Sequence, residues 1–291
     1  MAYRSIVCLN SGFEFEASSL ATAFALAKAS NAHLRIVHAE YVVHPSAMVF
    51  GEAAILSTGW AEAVDRQLAA DRTRAKEAAA TAAAKAGLPL ATAGETALPR
   101  AEFISMQSVS NRGLSRTLSM CDLIIMGGPK GAAGWAEDSI ANLALFSTGR
   151  PVWLVRPLGD GAPANVRPKT AMIAWSPTPE ALHALRAAVP LLALAEAVHL
   201  VSASSTPATE ATEEEALALA YLAAHGINAQ RDALGTGGKS PAEAVLSHAR
   251  AAQCDTLVMG AYGHSLFREM MIGGFSETMI TNAEFPLLLC H

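Results

Sequence analysis

One segment occurs twice in this chain. Cys121-Asp-Leu-Ile-Ile-Met-Gly127 recurs as Cys254-Asp-Thr-Leu-Val-Met-Gly260. Each copy leads into a glycine-bearing loop, then a helical run, then a proline followed by a second apolar run. Those runs are Pro151-Val-Trp-Leu-Val155 and Pro286-Leu-Leu-Leu-Cys290. The openings correspond too: Ser5-Ile-Val-Cys-Leu-Asn10 matches Ala171-Met-Ile-Ala-Trp-Ser176. A repeat of this kind forces both copies into one supersecondary plan. Between them, the Pro/Gly-rich stretch from Pro157 to Pro168 reads as a linker. The expected division is a first module at 1–157, a linker at 158–168 and a second module at 169–291.

Within each module, short apolar runs alternate with Ala-rich helical stretches. The first module predicts strands near 4–9, 33–39, 89–96, 122–127 and 151–156. The second predicts them near 169–175, 197–203, 227–234, 255–260 and 286–290. Helices such as 61–87 and 178–195 separate them. Strands alternating with helices mean a parallel sheet with right-handed crossovers. The fold class is therefore α/β, with two tandem doubly wound five-stranded parallel-sheet modules. With only 6% aromatic residues among 291, the core must come from Ala, Leu, Val and Ile. The first module also carries an extra segment at 41–60, apolar but broken by Pro45, Gly51 and Gly59. A lid or dimer-contact flap and a long loop packed on its own module are equal readings of it.

The second copy carries the chemistry. Thr256-Leu-Val-Met259 runs into Gly260, Gly263, Gly273 and Gly274, and a helical pattern starts at about Ser276. Glycines on a strand-to-helix loop admit φ > 0 and close approach of a ligand. The unpaired N–H groups and dipole of the following helix favour an anion. This is the pattern of a phosphate cradle. In open α/β sheets, ligands bind off the carboxyl ends of the strands, where the strand order reverses.

Other function classes fit less well. The net charge of −5 argues against nucleic acid. No stretch of about 20 uncharged apolar residues predicts a membrane span, and no secretory signal is expected at the start. Cys8, Cys121, Cys254 and Cys290 lie in or beside apolar runs with no C-x-x-C, which points to buried reduced thiols and a cytoplasmic protein. Ala233-Leu-Gly-Thr-Gly-Gly-Lys-Ser240 fits a permissive P-loop pattern, but Pro241 makes Ser240 a better N-cap with proline at N1. Glu213-Glu-Glu215 suits a helix N-terminus. The nine histidines show no metal spacing, and there is no G-x-S-x-G elbow. His264, directly after Gly263, is either a phosphate donor or an exposed loop residue. Trp175 either stacks on a base or belongs to the core. Nothing supplies a convincing general base, so an enzyme is not expected beyond slow nucleotide hydrolysis.

The run Gly260-x2-Gly263-x9-Gly273, ending in Ser276-Glu277 and then Pro286-Leu-Leu-Leu, resembles the universal stress protein family, as does Ile173-Ala-Trp-Ser-Pro-Thr-Pro-Glu-Ala181. The resemblance spans nearly the whole chain as two modules. It implies a fold of the adenine nucleotide alpha hydrolase type, modules paired as an intramolecular pseudo-dimer or homodimer, and a stress-response role. It also implies ATP or a related adenine nucleotide as ligand, with Mg²⁺ a low-ranked companion. Carried over, Gly260, Gly263 and Gly273 hold phosphates, while Gly274 stands where nucleotide binders have Ser or Thr and Ser276 could compensate. Ser176 replaces the first-strand Asp, and about Ala203 faces the adenine. The first module departs further. Lys130 stands at the position of Gly263, Glu137 and Asp138 bring negative charge, and Asn10 replaces the Asp. It reads as structural or regulatory. The competing reading of the whole chain is a non-nucleotide interaction or scaffold protein in stress survival.

Overall fold

A computed structural model of the chain describes residues 2–40, 58–92, 94–106, 110–128, 139–262 and 274–291. The first half contains strands β1 (Ser5–Leu9), β2 (His33–Ala39), β3 (Arg100–Met106), β4 (Leu123–Gly127) and β5 (Val152–Val155). Its helices are α1 (Ala17–Ser30), α2 (Thr58–Ala86), α3 (Asn111–Ser119) and α4 (Ser139–Ser147). The second half contains β6 (Thr170–Ala174), β7 (Ala197–Ser204), β8 (Ala229–Gly235), β9 (Thr256–Gly260) and β10 (Leu287–Cys290). Its helices are α5 (Pro179–Leu192), α6 (Glu213–Ala224), α7 (Pro241–Ala251) and α8 (Phe275–Asn282).

All strands join one ten-stranded sheet in the order β3-β2-β1-β4-β5-β10-β9-β6-β7-β8. Every pairing is parallel except β5 with β10, where Trp153 lies opposite Leu288. The two halves thus meet edge to edge along one antiparallel seam. Helices cover both faces, so the inner strands are continuous apolar runs, as parallel sheets require. β4, β5 and β10 are buried along their whole length. One core packs α1, α2, α5 and α6 against one face, through residues such as Phe24, Ala79, Leu185 and Leu222. The other packs α3, α4, α7 and α8 against the opposite face, through Leu114, Leu145, Val245 and Met279. Both cores run across the seam, and Tyr3 Oη–H donates to the Ala187 carbonyl of α5 at 2.7 Å.

Nine of the ten expected strands sit where the sequence puts them, to within two residues at each end. The exception is the third. The expected strand at 89–96 contributes only a single bridge, Leu90 to Ala101. The strand beside β2 is Arg100–Met106 instead. Pro89 lacks an N–H, and Gly94 has φ of 94°. Phe103 and Ile104 suit a pleated edge better. The Pro/Gly-rich stretch between the halves is docked rather than free. The Leu158 and Ala164 N–H groups donate to the Ser18 and Thr22 hydroxyl oxygens of α1 at 2.9 and 2.7 Å. Of the apolar insertion, residues 41–57 lie outside the described residues, while Thr58, Gly59 and Trp60 open α2.

Candidate functional site

In the second half, β6 is followed outward by β7 and β8, while β9 lies on its other side. The strand order reverses between β6 and β9, which puts a crevice off their carboxyl ends. Ser176 follows β6 and is exposed. Its carbonyl accepts the Thr178 N–H at 2.8 Å. The Thr178 hydroxyl in turn caps α5 through the Ala181 N–H. Ala203, near the end of β7, is partly buried against the α7 side of the sheet. Trp175 is 8% exposed and packs in the core beneath α5.

The glycines have separable roles. A Cβ on Gly260 would lie 2.6 Å from the Ala181 nitrogen and 2.7 Å from the Glu180 carbonyl carbon. The absent side chain admits the first turn of α5 against the end of β9. Gly274 is different. It is the N-cap of α8 with φ −64° and ψ 163°, its cap carries no side-chain hydrogen bond, and a Cβ would meet no described atom within 4 Å. The first turn of α8 therefore presents backbone N–H groups without a side-chain acceptor from its cap. Ser276, in that turn, accepts the Tyr262 N–H on its hydroxyl oxygen at 3.0 Å. Tyr262 sits in the left-handed region (φ 56°) and packs edge-on against Phe146. Gly263, His264 and Gly273 lie outside the described residues, as do Lys130, Glu137 and Asp138.

The first half answers the same topology with a filled loop. Asn10, after β1, is 2% exposed. Its amide donates to the Ala75 carbonyl of α2 at 2.8 Å and its Oδ1 accepts the Gly12 N–H at 3.0 Å. The Glu16 carboxylate is buried and accepts the Ser11 and Phe13 N–H groups at 2.8 and 3.0 Å. Gly12 has φ of 79° and presses against α2, where a Cβ would come within 2.7 Å of the Ala75 nitrogen. Gly127 mirrors Gly260 in position, and a Cβ there would meet the Glu16 Cα at 3.0 Å. In the described loop after β1, the Ser11 and Phe13 N–H groups already serve a carboxylate.

Other sequence readings also resolve. Ser240 is the N-cap of α7, accepts the Glu243 N–H and is followed by Pro241, so the P-loop-like run is a capped helix start. Glu215 completes a capping box with Thr212. It also accepts from the Ser202 hydroxyl at 2.6 Å and from Arg231 at 2.7 Å. Burial pushes its carboxyl up, but these bonds hold it below the usual range. All four cysteines are buried and free. An open cleft of about 590 Å³ lies between α3 and α4, lined in part by Asn111, Arg112, Asn142 and Phe146, and none of the described glycine-loop residues lines it. Sequence spacing missed one cluster outright. His199, Asp232 and His248 converge at the outer edge of the second half. Burial raises the Asp232 carboxyl, and hydrogen bonds from His248 and His199 outweigh it and hold the group below its ordinary value.

The fold defines a class: two doubly wound α/β modules fused edge to edge, each with its crevice at a topological switch point. Residues 168–291, the C-terminal half, match the model of the Universal stress protein family. The first half shares the fold. Along the whole chain, the structure is similar to a universal stress protein from Archaeoglobus fulgidus DSM 4304. The TM-score is 0.70 at 15% identity, over 98% of this chain and 96% of that one. A putative universal stress protein from Pseudomonas aeruginosa UCBPP-PA14 matches with TM-score 0.54 and 18% identity, over 99% of this chain and 93% of that one. A functionally unknown protein from Pseudomonas aeruginosa PAO1 matches with TM-score 0.52 and 15% identity, over 99% and 92%. No curated protein matches the chain. Among the described residues, no helix is long and apolar enough to cross a membrane.

Proposed function

We propose that the C-terminal half is a stress-response ligand sensor for an adenine nucleotide of the ATP type, and that the N-terminal half is its structural partner. The nucleotide phosphates, with any Mg²⁺ they carry, lie at the first turn of α8. The ribose and base extend toward the ends of β6 and β7. The contrast between the two halves carries this reading. The loop after β1 is plugged by Asn10 and Glu16, whereas Ser176 after β6 is exposed and Gly274 leaves the α8 cap without a side-chain acceptor. A helix N-terminus favours phosphate through both its backbone donors and its dipole.

Ser176 has no carboxylate to grip a ribose, and this favours the second reading, an interaction or scaffold protein without nucleotide. The two are separated by mass spectrometry of small molecules released from the denatured protein. Thermal titration of the stripped protein with ATP, ADP and AMP, with and without Mg²⁺, complements it. Ligand at 100 times its dissociation constant adds about 2.7 kcal/mol to the folded state. Gly274→Asp is the matching variant. Aspartate is a strong N-cap, so the fold is kept, while its charge repels phosphate. The nucleotide shift is expected in the native protein and lost in the variant. No bound nucleotide and no shift overturns the sensor and leaves the scaffold.

A further inference from the structure

Three side chains from three elements point at one spot on the outer edge of the second half. In the β7–β8 pair, His199 lies beside Gln230 and Val201 beside Asp232. Residues two apart share a face, so His199, Gln230 and Asp232 all project toward α7. His248 reaches down from that helix. His199 Nδ1 lies 2.8 Å and His248 Nε2 2.9 Å from the same oxygen, Asp232 Oδ2. The three ligand-type atoms all fall within 4.8 Å of one another. Side-chain exposures are 18% for His199, 10% for Asp232 and 30% for His248, so the spot is sheltered but open on the helix side.

We propose that His199, Asp232 and His248 form a binding site for one divalent transition-metal ion of the zinc type, separate from the crevice off β6 and β9. Two imidazoles and one carboxylate suit zinc and its neighbours, whereas calcium and magnesium take six or more oxygens. Tetrahedral zinc with bonds of about 2.0–2.1 Å needs ligand atoms about 3.3 Å apart. The cluster reaches that spacing if its two hydrogen bonds open slightly and the imidazoles close in. Each ring then moves its proton to the other nitrogen and offers a lone pair where it now donates. Three protein ligands leave a fourth position for water, on the side where His248 meets solvent.

The surroundings match a metal site in a second way. Gln230 Nε2–H donates to Asp232 Oδ1 at 3.0 Å. That bond fixes the carboxylate and leaves Oδ2 aimed between the rings, the arrangement by which outer residues orient a ligand. The ion would tie α7 to the edge strand β8 and neutralise the carboxylate.

The test uses the full chain, stripped with a chelator and titrated with Zn²⁺ alone by calorimetry, with Co²⁺ as a spectroscopic probe. We expect one equivalent of zinc, a rise in thermal midpoint and the visible absorption of low-coordinate Co²⁺. His248→Ala, on a part-exposed helix face, is expected to weaken zinc by more than about tenfold, and Gln230→Ala by roughly tenfold, since outer-shell changes cost about 10–100-fold. Gln230→Ala keeps all three ligands, so it reads the site even if His248→Ala perturbs α7. His183→Ala, on the exposed side of α5, is expected to bind as the native protein does. Absence of stoichiometric zinc in the native chain overturns the proposal. So does native-like affinity in both His248→Ala and Gln230→Ala.

Discussion

Replacing Gly260 by alanine tests what that glycine is for. The new Cβ would stand 2.6 Å from the Ala181 nitrogen, 2.7 Å from the Glu180 carbonyl carbon and 2.9 Å from the Glu180 Cβ. Ordinary contact begins at 3.4 Å, so the start of α5 would have to retreat by about 0.8 Å. It is not free to do so, because Ala181, Ala184 and Leu185 are 2%, 0% and 1% exposed against the sheet. Gly260 is not among the glycines with positive φ, so the cost is purely steric. Overpacking of this kind costs about 1–3 kcal/mol. A loss of about 2 kcal/mol lowers the thermal midpoint by about 4–8 °C in a chain of this size. At Gly127 the nearest atom is 3.0 Å away, so Gly127→Ala is expected to cost less. Gly159 has nothing within 4 Å, and Gly159→Ala is expected to cost least. The assay is thermal unfolding by circular dichroism, without nucleotide. If Gly260→Ala unfolds with Gly159→Ala, the glycine is not there to admit α5, and a role in ligand approach alone becomes the better account.

Three further outcomes follow from the geometry. Glu215 has a folded-state carboxyl held below its usual 4.5. Its contribution is therefore complete above about pH 4.5 and is lost as the pH falls through the lower folded value. Glu215→Gln should flatten that part of a urea-midpoint profile, and an unchanged slope would count against it. Burial raises the thiols, Cys121 to about 11 and Cys254 and Cys290 to about 12. All four are expected to resist a disulfide reagent at neutral pH until the chain is unfolded; rapid labelling of the native protein would contradict this. Gly274→Ser places a hydroxyl at an empty N-cap and should stabilise α8 by a few tenths of a kcal/mol. Thermal unfolding without nucleotide measures the gain, and an unchanged midpoint would refute it.

The repeat and the alternation of apolar runs with Ala-rich helices made the doubly wound fold readable, because covered parallel strands carry no polar face to blur the pattern. The third strand was misplaced because an edge strand is only half apolar. β3 is intermediate at six of its seven residues, so Leu90 and its neighbours competed with it on composition. Ser176 and Ala203 were singled out through the family resemblance, and they stand at the ends of β6 and β7. The purpose of Gly260 was not legible. One glycine looks the same in sequence whether a ligand or a helix lies against it, and the nearness of Ala181 appears only in the fold. The plug in the first half was hidden for a similar reason. Asn10 finds its partner 65 residues away, on Ala75. The histidine cluster escaped because His199 and His248 stand 33 and 16 residues from Asp232, joined only by strand pairing and the placement of α7.

The seam between β5 and β10 has a consequence for how such a chain can change. When two identical subunits share a seam, every substitution is made twice, and a residue that fills one crevice fills both. It also dissolves on dilution. Here both sides of the seam belong to one molecule, so the pairing is independent of concentration and each side mutates alone. The loop after β1 is plugged by Asn10 and Glu16 while its counterpart after β6 keeps Ser176 in the open. The two halves of one chain therefore carry different loops after β1 and β6. A single chain can hold such an asymmetry, which no homodimer of either half could.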